Sequence, residues 1–560
     1  MRRRDFLLST AATTGSLLLP SVVRSQQRQH KFDLAILGGS LGSCAAALAA
    51  LRNGLTVVLT EETDWIGGQL TSQAVPPDEH RWVETHGCTA SYRTLRDGIR
   101  AFYRRNYPLT AAARANPYLN PGNGAVSRLC HEPRVALAVL EAMLAPYVST
   151  GQLAVLLEHR AVAADVEGDS VRSVQVRDLG GGDVRTLEAP WFIDATELGD
   201  LLPLAGTEFI TGAEARKDTG ELHAQEHAVP TNQQAFTVCF AVDHLAGEDH
   251  TIDRPREYEF WRNYVPDLAP PWPGKLLDLT YSQPATLEPR TLGFVPNGQT
   301  PEGQLNLFNY RRLIDPANFE PGAYRSGISL VNWPQNDYLL GNLIGIEETE
   351  QRQHIDRAKQ LSLSLLYWLQ TEAPRPDGGT GWPGLRLRGD LLGTDDGLAK
   401  YPYVREARRI RSVFTVLEAH VGREMRMQAT GKPAGEVTAA DFFDSVGIGH
   451  YNIDLHPTTA GNNYIDFPAL PFQIPLGALI PERMRNLLPA CKNIGTTHMT
   501  NGCYRLHPVE WNIGEAAGAL VAFCHRQHKV PAQVREDRGT LADFQTLLEK
   551  QGVELRWPQP

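Results

Sequence analysis

Cysteine is scarce in this chain: seven thiols in 560 residues, at 44, 88, 130, 239, 491, 503 and 524, with no C-x-x-C among them. That scatter excludes an iron–sulfur cluster or a structural zinc site, which need paired ligands. The odd number leaves at least one thiol free, and buried reduced cysteines explain the others as readily as a disulfide does. Asp78-Glu79-His80 and Cys130-His131-Glu132-Pro133 lack the spacing that sets two ligands on one helix face, so no metal is expected. Positive charge is not concentrated either. Lys and Arg number 54 against 64 Asp and Glu, a formal charge of −10, so nucleic acid is not an expected partner. The run Arg405-Glu406-Ala407-Arg408-Arg409-Ile410 reads as a solvated, ion-paired helix face. After residue 26 no stretch reaches about 18 apolar residues, so no stable membrane insertion is expected once a signal is removed.

The signal is the first thing that is present. Arg2-Arg3-Arg4-Asp5-Phe6-Leu7-Leu8 opens an apolar run diluted by Ala, Thr and Ser, ending near Val23-Arg24-Ser25. The segment resembles a twin-arginine export signal over 1–26. It implies a periplasmic or secreted protein, carried folded by the twin-arginine machinery, with any cofactor loaded beforehand.

Residues 32–37 form a short apolar strand, 43–52 an Ala-rich helix closed by Gly54, and 55–59 a second strand. This is β-α-β within about 30 residues, the smallest unit that holds a dinucleotide. Between strand and helix stands Gly38-Gly39-Ser40-Leu41-Gly42-Ser43, where Ser40 and Ser43 replace two glycines of G-x-G-x-x-G. Gly38 permits the tight turn, and the following amides face a diphosphate. By itself the loop reads equally as an ordinary turn; the second strand decides. It ends at Glu61, with Glu62 as the neighbouring alternative, where a carboxylate accepts from ribose hydroxyls. Gly67-Gly68-Gln69 then offers a glycine pair able to run beneath a flavin, and Gln69 and Ser72 can touch its ring.

These features resemble the glutathione-reductase-type FAD-binding fold, and more narrowly the FAD-dependent oxidoreductase family that includes the flavoprotein part of heterodisulfide reductase. Phe192-Ile193-Asp194-Ala195-Thr196-Glu197-Leu198-Gly199-Asp200 is similar to that family's IDATGDGDL. The stretch from Asn486 through Cys491, Asn493 and His498 is similar to NLLVAGRCISATH, and Arg505, Pro508 and Gly514-Glu515-Ala516-Ala517-Gly518 to RVxPTxxxxGQAAG. Cys491 stands where the family has Gly, and Trp511-Asn512 where it is usually smaller. The resemblance implies FAD as cofactor, with Ala195, Thr196, Asn493, Gly514 and Ala516 near it. It covers both ends and the middle, leaving 210–440 loosely matched.

The expected fold is α/β: a Rossmann-type FAD-binding domain (31–206, resumed at 446–530), an inserted α+β substrate or cap domain (207–445) and a C-terminal extension (531–560). Helices are expected at 347–371, 404–424 and 509–523, and a Gly/Pro-rich loop at 374–397. The first turn of helix 509–523 would stabilise negative charge on a reduced flavin.

Since flavin carries the redox chemistry, the protein supplies at most an acid–base group and charge. His507, just before that helix, is a candidate base, His498 a second, and Arg505 between them a candidate for carboxylate binding or flavin stabilisation. His80, His86 and His131 are further candidates. Tyr401, Tyr403, Tyr451 and Tyr464 are candidates for a substrate pocket or ordinary packing. The function expected is hydride transfer between a small organic substrate and FAD, with an NAD-using dehydrogenase or a non-catalytic FAD-binding protein as alternatives. Neither substrate nor electron acceptor is legible.

Overall fold

A computed structural model describes residues 32–558, which belong to one compact unit; the expected signal at 1–26 lies outside them. The chain opens with β1 (Leu34–Leu37), α1 (Leu41–Arg52) and β2 (Val57–Thr60). It continues through α2 (Ala90–Asn106), α3 (Pro133–Ser149), β3 (Leu153–Leu156) and β4 (Trp191–Asp194). The middle supplies β5 (Phe240–His244), β6 (Arg312–Ile314), β7 (Ile328–Val331), α4 (Glu348–Thr371) and β8 (Leu385–Leu387). The end returns with β9 (Leu487–Pro489), α5 (His498–Tyr504) and α6 (His507–Gln527).

The first sheet is parallel throughout, in the order β9-β4-β1-β2-β3. β1, β2 and β4 are fully buried apolar runs, the pattern of strands covered on both faces. Leu34 pairs with Val57 on one side and Trp191 on the other, which makes β1 the centre. The crossover from β3 to β4 is a three-stranded antiparallel meander over 159–188. Its last turn, expected at 180–183, is pinned where Asp178 Oδ1 accepts from the N–H groups of Gly180 and Gly181.

α1 and α6 lie against each other at backbone distance. A Cβ added to Gly514 would stand 1.9 Å from the Gly42 carbonyl oxygen, and one at Gly518 2.1 Å from that of Ala46. Small residues four apart on α6 thus let the C-terminal helix close on the N-terminal one. The middle of the chain forms a four-stranded antiparallel sheet, β6-β7-β5-β8, and a second apolar core containing Trp261, Trp333, Leu365 and Trp368.

Two expectations are corrected. The predicted loop 374–397 contains β8, because Leu385 and Leu387 extend the sheet by pairing with His244 and Val242. The predicted helix 404–424 is mostly extended, with helices only at Glu418–Val421 and from Arg423 onward. Its basic run is no solvated face: Arg405, Glu406 and Arg409 are buried. Arg405 donates to the Ala235 carbonyl at 2.7 Å, and Arg409 to those of Gly212 and Thr496 at 2.6 and 3.0 Å. Distant backbone partners outweigh local helix propensity here. Among the described residues, no helix is long and apolar enough to cross a membrane.

Candidate active site

β1 delivers the chain to Gly38, whose φ is +94°, and a Cβ there would lie 2.4 Å from the Ala195 carbonyl oxygen. Only glycine fits that turn. The two serines at glycine positions start α1: Ser40 Oγ accepts from the Ser43 N–H at 3.2 Å, and Ser43 Oγ donates back to Ser40 O at 2.7 Å. Glu61 is folded onto the loop, accepting from the Gly39 N–H at 2.9 Å and from Thr63 N–H and O–H at 2.8 and 2.7 Å. Glu62 has Arg160 and Asp200 as charged neighbours instead. The Gly67 N–H donates to Gly39 O at 2.7 Å, laying Gly67 and Gly68 over the loop. Behind it, Thr196 is tied to Asp194 Oδ1, and Asn493 Nδ2 donates to Asp194 O at 3.0 Å. The structure therefore gathers the loop, Glu61, Gly67-Gly68-Gln69, Ala195-Thr196, Asn493 and Gly514 at one end of the parallel sheet.

Three participants were not foreseen. Gly42 N–H donates to Glu510 Oε1 at 3.0 Å, and Gln69 Nε2 bonds the other Glu510 oxygen while also donating to the Arg505 carbonyl at 3.0 Å. Lys492 Nζ bonds Glu197 and donates to Cys491 Sγ at 3.4 Å. Glu197 falls on a glycine of the family pattern, which was the available signal; Glu510 and Lys492 had none. One ammonium thus faces the carboxyl groups of Glu197 and Glu510. Burial pushes the Glu61 carboxyl up to about 7, against the hydrogen bonds from Thr63 and Gly39. Burial also raises Glu510, with Lys492 opposing.

A diphosphate bound at this loop would add negative charge and favour the protonated carboxyls further. Binding should then take up protons, so affinity increases as pH falls through about 7. FAD titrated into apoprotein should bind about tenfold more tightly at about pH 6 than at about pH 8, read by fluorescence quenching. Glu61→Gln should remove much of that slope, whereas affinity that is flat, or weaker in acid, would contradict the charge balance described.

Gln69 leads to the second half of the site. Arg505, whose carbonyl it holds, lines a cavity of about 1130 Å³ bounded by residues from 78–82, 281–334, 403–405, 423–471 and 505–506. The cavity does not include the glycine loop; it adjoins the start of α6. The Asp78 N–H on its wall donates to His507 Nδ1 at 3.0 Å. Arg311 pairs with Asp78 at 3.2 Å, and Arg505 donates to Tyr403 Oη at 3.1 Å and to Asp454 Oδ2 at 3.4 Å. Tyr403, Tyr451 and Tyr464 line it, and Tyr401 does not.

Of the three candidate catalytic residues, only Arg505 reaches this cavity. His507 is fully buried at the first turn of α6, its Nε2 without a hydrogen-bond partner among the described residues, and burial lowers its pKa to about 3. His498 begins α5 with Nδ1 2.6 Å from buried Glu406. Sequence reasoning missed Asp78, Arg311, Arg405, Asp454 and His456, which meet in the cavity without any local pattern.

A parallel sheet ending in a glycine-only turn and a carboxylate, set against a polar cavity, defines a dinucleotide-dependent oxidoreductase. The chain matches the model for FAD dependent oxidoreductases over residues 33–548, and it belongs to that family. It is an oxidoreductase whose cofactor is FAD. No curated protein matches it. Among solved structures, a geranylgeranyl bacteriochlorophyll reductase-like protein from Thermoplasma acidophilum is 10% identical, covering 93% of this chain and 84% of its own, with a TM-score of 0.31. Glycerol-3-phosphate dehydrogenase from Bacillus halodurans complexed with FAD is 12% identical, with 38% and 40% covered and a TM-score of 0.23. A myxobacterial chondrochloren halogenase is 15% identical, with 40% and 45% covered and a TM-score of 0.21. The chain thus spans less than half the length of the last two, and likenesses this distant do not bear on its substrate.

The residues present fit FAD. A Cβ at Gly38 or Gly68 would strike Ala195 O at 2.4 Å or Glu197 Oε1 at 2.5 Å, so both positions need glycine for the loop to pack against 195–197 as a dinucleotide turn does. Buried Glu197 Oε1 and both amide atoms of Gln73 have no partner within the described chain.

Proposed function

We propose that this protein is an exported flavoenzyme that moves a hydride between a small organic substrate, held in the cavity, and FAD held at the sheet end. One observation carries the reading: Gln69 bonds Glu510 at the glycine loop and the carbonyl of Arg505 on the cavity wall, so cofactor cradle and cavity share a partition. FAD, when bound, supplies the two-electron acceptor or donor.

The chain's own residues do the rest. The N–H groups of Ser40 and Leu41 at the start of α1, with Lys492, would hold the diphosphate, Glu61 the ribose, and Gly67-Gly68-Gln69 the ring end. Arg505 and Arg311 present buried cations to a substrate oxygen, and both are already oriented by carboxylates, so little reorganisation remains. The twin-arginine-like start supports export after folding, and with it a periplasmic or secreted location.

The test is anaerobic bleaching of the flavin by a panel of alcohols, sugars, amines and carboxylic acids. A yellow preparation that one of these classes bleaches is expected. Arg505→Met should keep its FAD yet bleach about a hundredfold more slowly. A colourless preparation indifferent to added FAD would sink the reading.

A further inference from the structure

Three histidines line the cavity, at 80, 450 and 456. His80 has both nitrogens committed, Nε2 to Gly87 O at 2.9 Å and Nδ1 to the Trp82 N–H at 3.3 Å. His450 sits among rings, 5.2 Å from Trp82 and 6.5 Å from Trp557. His456 differs: its Nδ1 is 2.6 Å from Asp337 Oδ2. The other Asp337 oxygen accepts from Thr237 Oγ1 at 2.5 Å and faces Arg405 Nη2 at 3.0 Å. With its carboxylate fixed from three sides, Asp337 can only accept, so Nδ1 carries the ring proton. That leaves the lone pair on Nε2, which stands 4.0 Å from Asp454 Oδ2, beyond hydrogen-bond length.

We infer that His456, positioned by Asp337, is the catalytic base of this cavity, and that the substrate it serves carries a hydroxyl on the carbon to be oxidised, as an alcohol or sugar does. The inference rests on the flavoenzyme reading above. The groups facing His456 are Asp337, Arg405, Asp454 and the Tyr464 ring, 5.3 Å away. Burial and Arg405 lower its pKa despite Asp337. Burial favours the neutral form of Asp337, but the Arg405 cation and the hydrogen bonds from His456 and Thr237 overcome it and keep the carboxyl ionised. A neutral imidazole beside a fixed carboxylate is the form that accepts a proton.

The substrate O–H breaks and its proton goes to Nε2. The C–H on the same carbon breaks, and the hydride with its two electrons goes to oxidised FAD, the oxidant. A C=O forms, so the substrate leaves as an aldehyde or ketone, two electrons poorer, and His456 later returns its proton to solvent. A base with a free lone pair is what an O–H needs as hydride leaves its carbon, because the oxygen must lose its proton for C=O to form. The paired charges at Arg311–Asp78 and Arg505–Asp454, set among tyrosines, suit a polyol face.

Two measurements on the FAD-loaded protein test this. With ¹⁵N-histidine labelling and His456→Ala as the difference spectrum, His456 should be neutral and Nδ1-protonated at about pH 8. An Nε2-protonated ring, or a cation, overturns the assignment without reference to activity. Second, His456→Ala and Asp337→Asn should retain FAD. Bleaching by glucose, glycerol and benzyl alcohol should slow by about 10²–10⁴-fold in His456→Ala, with partial rescue by added imidazole. Asp337→Asn should slow it less and shift its pH profile. A His456→Ala protein that bleaches at the wild-type rate, or a wild type bleached by amines or acids but by no alcohol, overturns the proposal. A wild type bleached by nothing removes the flavoenzyme reading instead, and the ring tautomer still decides the dyad.

Discussion

Replacing Gly42 or Gly514 with alanine is expected to cost the protein its bound FAD and several degrees of thermal midpoint. A Cβ at Gly42 would stand 1.7 Å from the Ala490 carbonyl oxygen, and one at Gly514 1.9 Å from that of Gly42. Both obstacles are backbone, one in the turn after β9 and the other in α1, so no side chain can rotate away. Overpacking of this kind costs about 1–3 kcal/mol, and more where backbone must move. Either change would force the chain apart beside the glycine loop and break the Gly42–Glu510 hydrogen bond, so retention of FAD through gel filtration should fall together with the melting temperature. Gly539 is the control: a Cβ there meets only Asp537 Oδ1 at 3.5 Å, and Gly539→Ala in the helix Arg538–Lys550 should be neutral or slightly stabilising. Normal FAD content and melting in Gly514→Ala would mean that α1 and α6 are not in backbone contact.

A comparable loss is expected at a buried ionic cluster behind the cavity wall. Arg96 bonds Glu79 at 2.8 Å and Glu84 at 2.7 Å, and Arg100 bonds Glu84 at 2.6 Å. Both guanidinium groups are almost fully buried on α2, and two carboxylates balance two cations. Glu84→Gln leaves two buried cations to share one anion, and breaking such a cluster costs about 3–5 kcal/mol. Burial alone would raise the Glu84 carboxyl, but the hydrogen bonds from Arg96 and Arg100 pull it down to about 2. Because the folded value lies below the unfolded one, the stabilisation is present above the ordinary carboxylate range, near 4.5, and is lost as pH falls towards about 2. The difference between wild type and Glu84→Gln in urea midpoint should therefore be largest near neutrality and shrink in acid. Equal midpoints at pH 7 would contradict the cluster. The variant should also disturb the cavity, since Glu79 lies in the segment that brings Asp78 to Arg311.

The nucleotide half of the fold was readable from sequence because its signals are local. Strand, glycine turn, Ala-rich helix and terminal carboxylate follow one another within 30 residues, and each obeys a short-range rule. The cavity was not readable for the opposite reason. Its walls come from five separated stretches, and nothing near His456 marks Asp337, 119 residues earlier, as its partner. The basic run at 405–410 misled for a related cause. Its composition favours a helix, while Ala235, Gly212 and Thr496 offer backbone acceptors that only the folded chain brings within reach.

The coenzyme cradle joins the two ends of the chain: β1 and α1 come from its start, β9 and α6 from its finish. A ribosome therefore releases the glycine turn long before the strand and helix that brace it exist. Pairings so remote in sequence form late, and the nascent chain must hold an unfinished pocket until α6 has emerged.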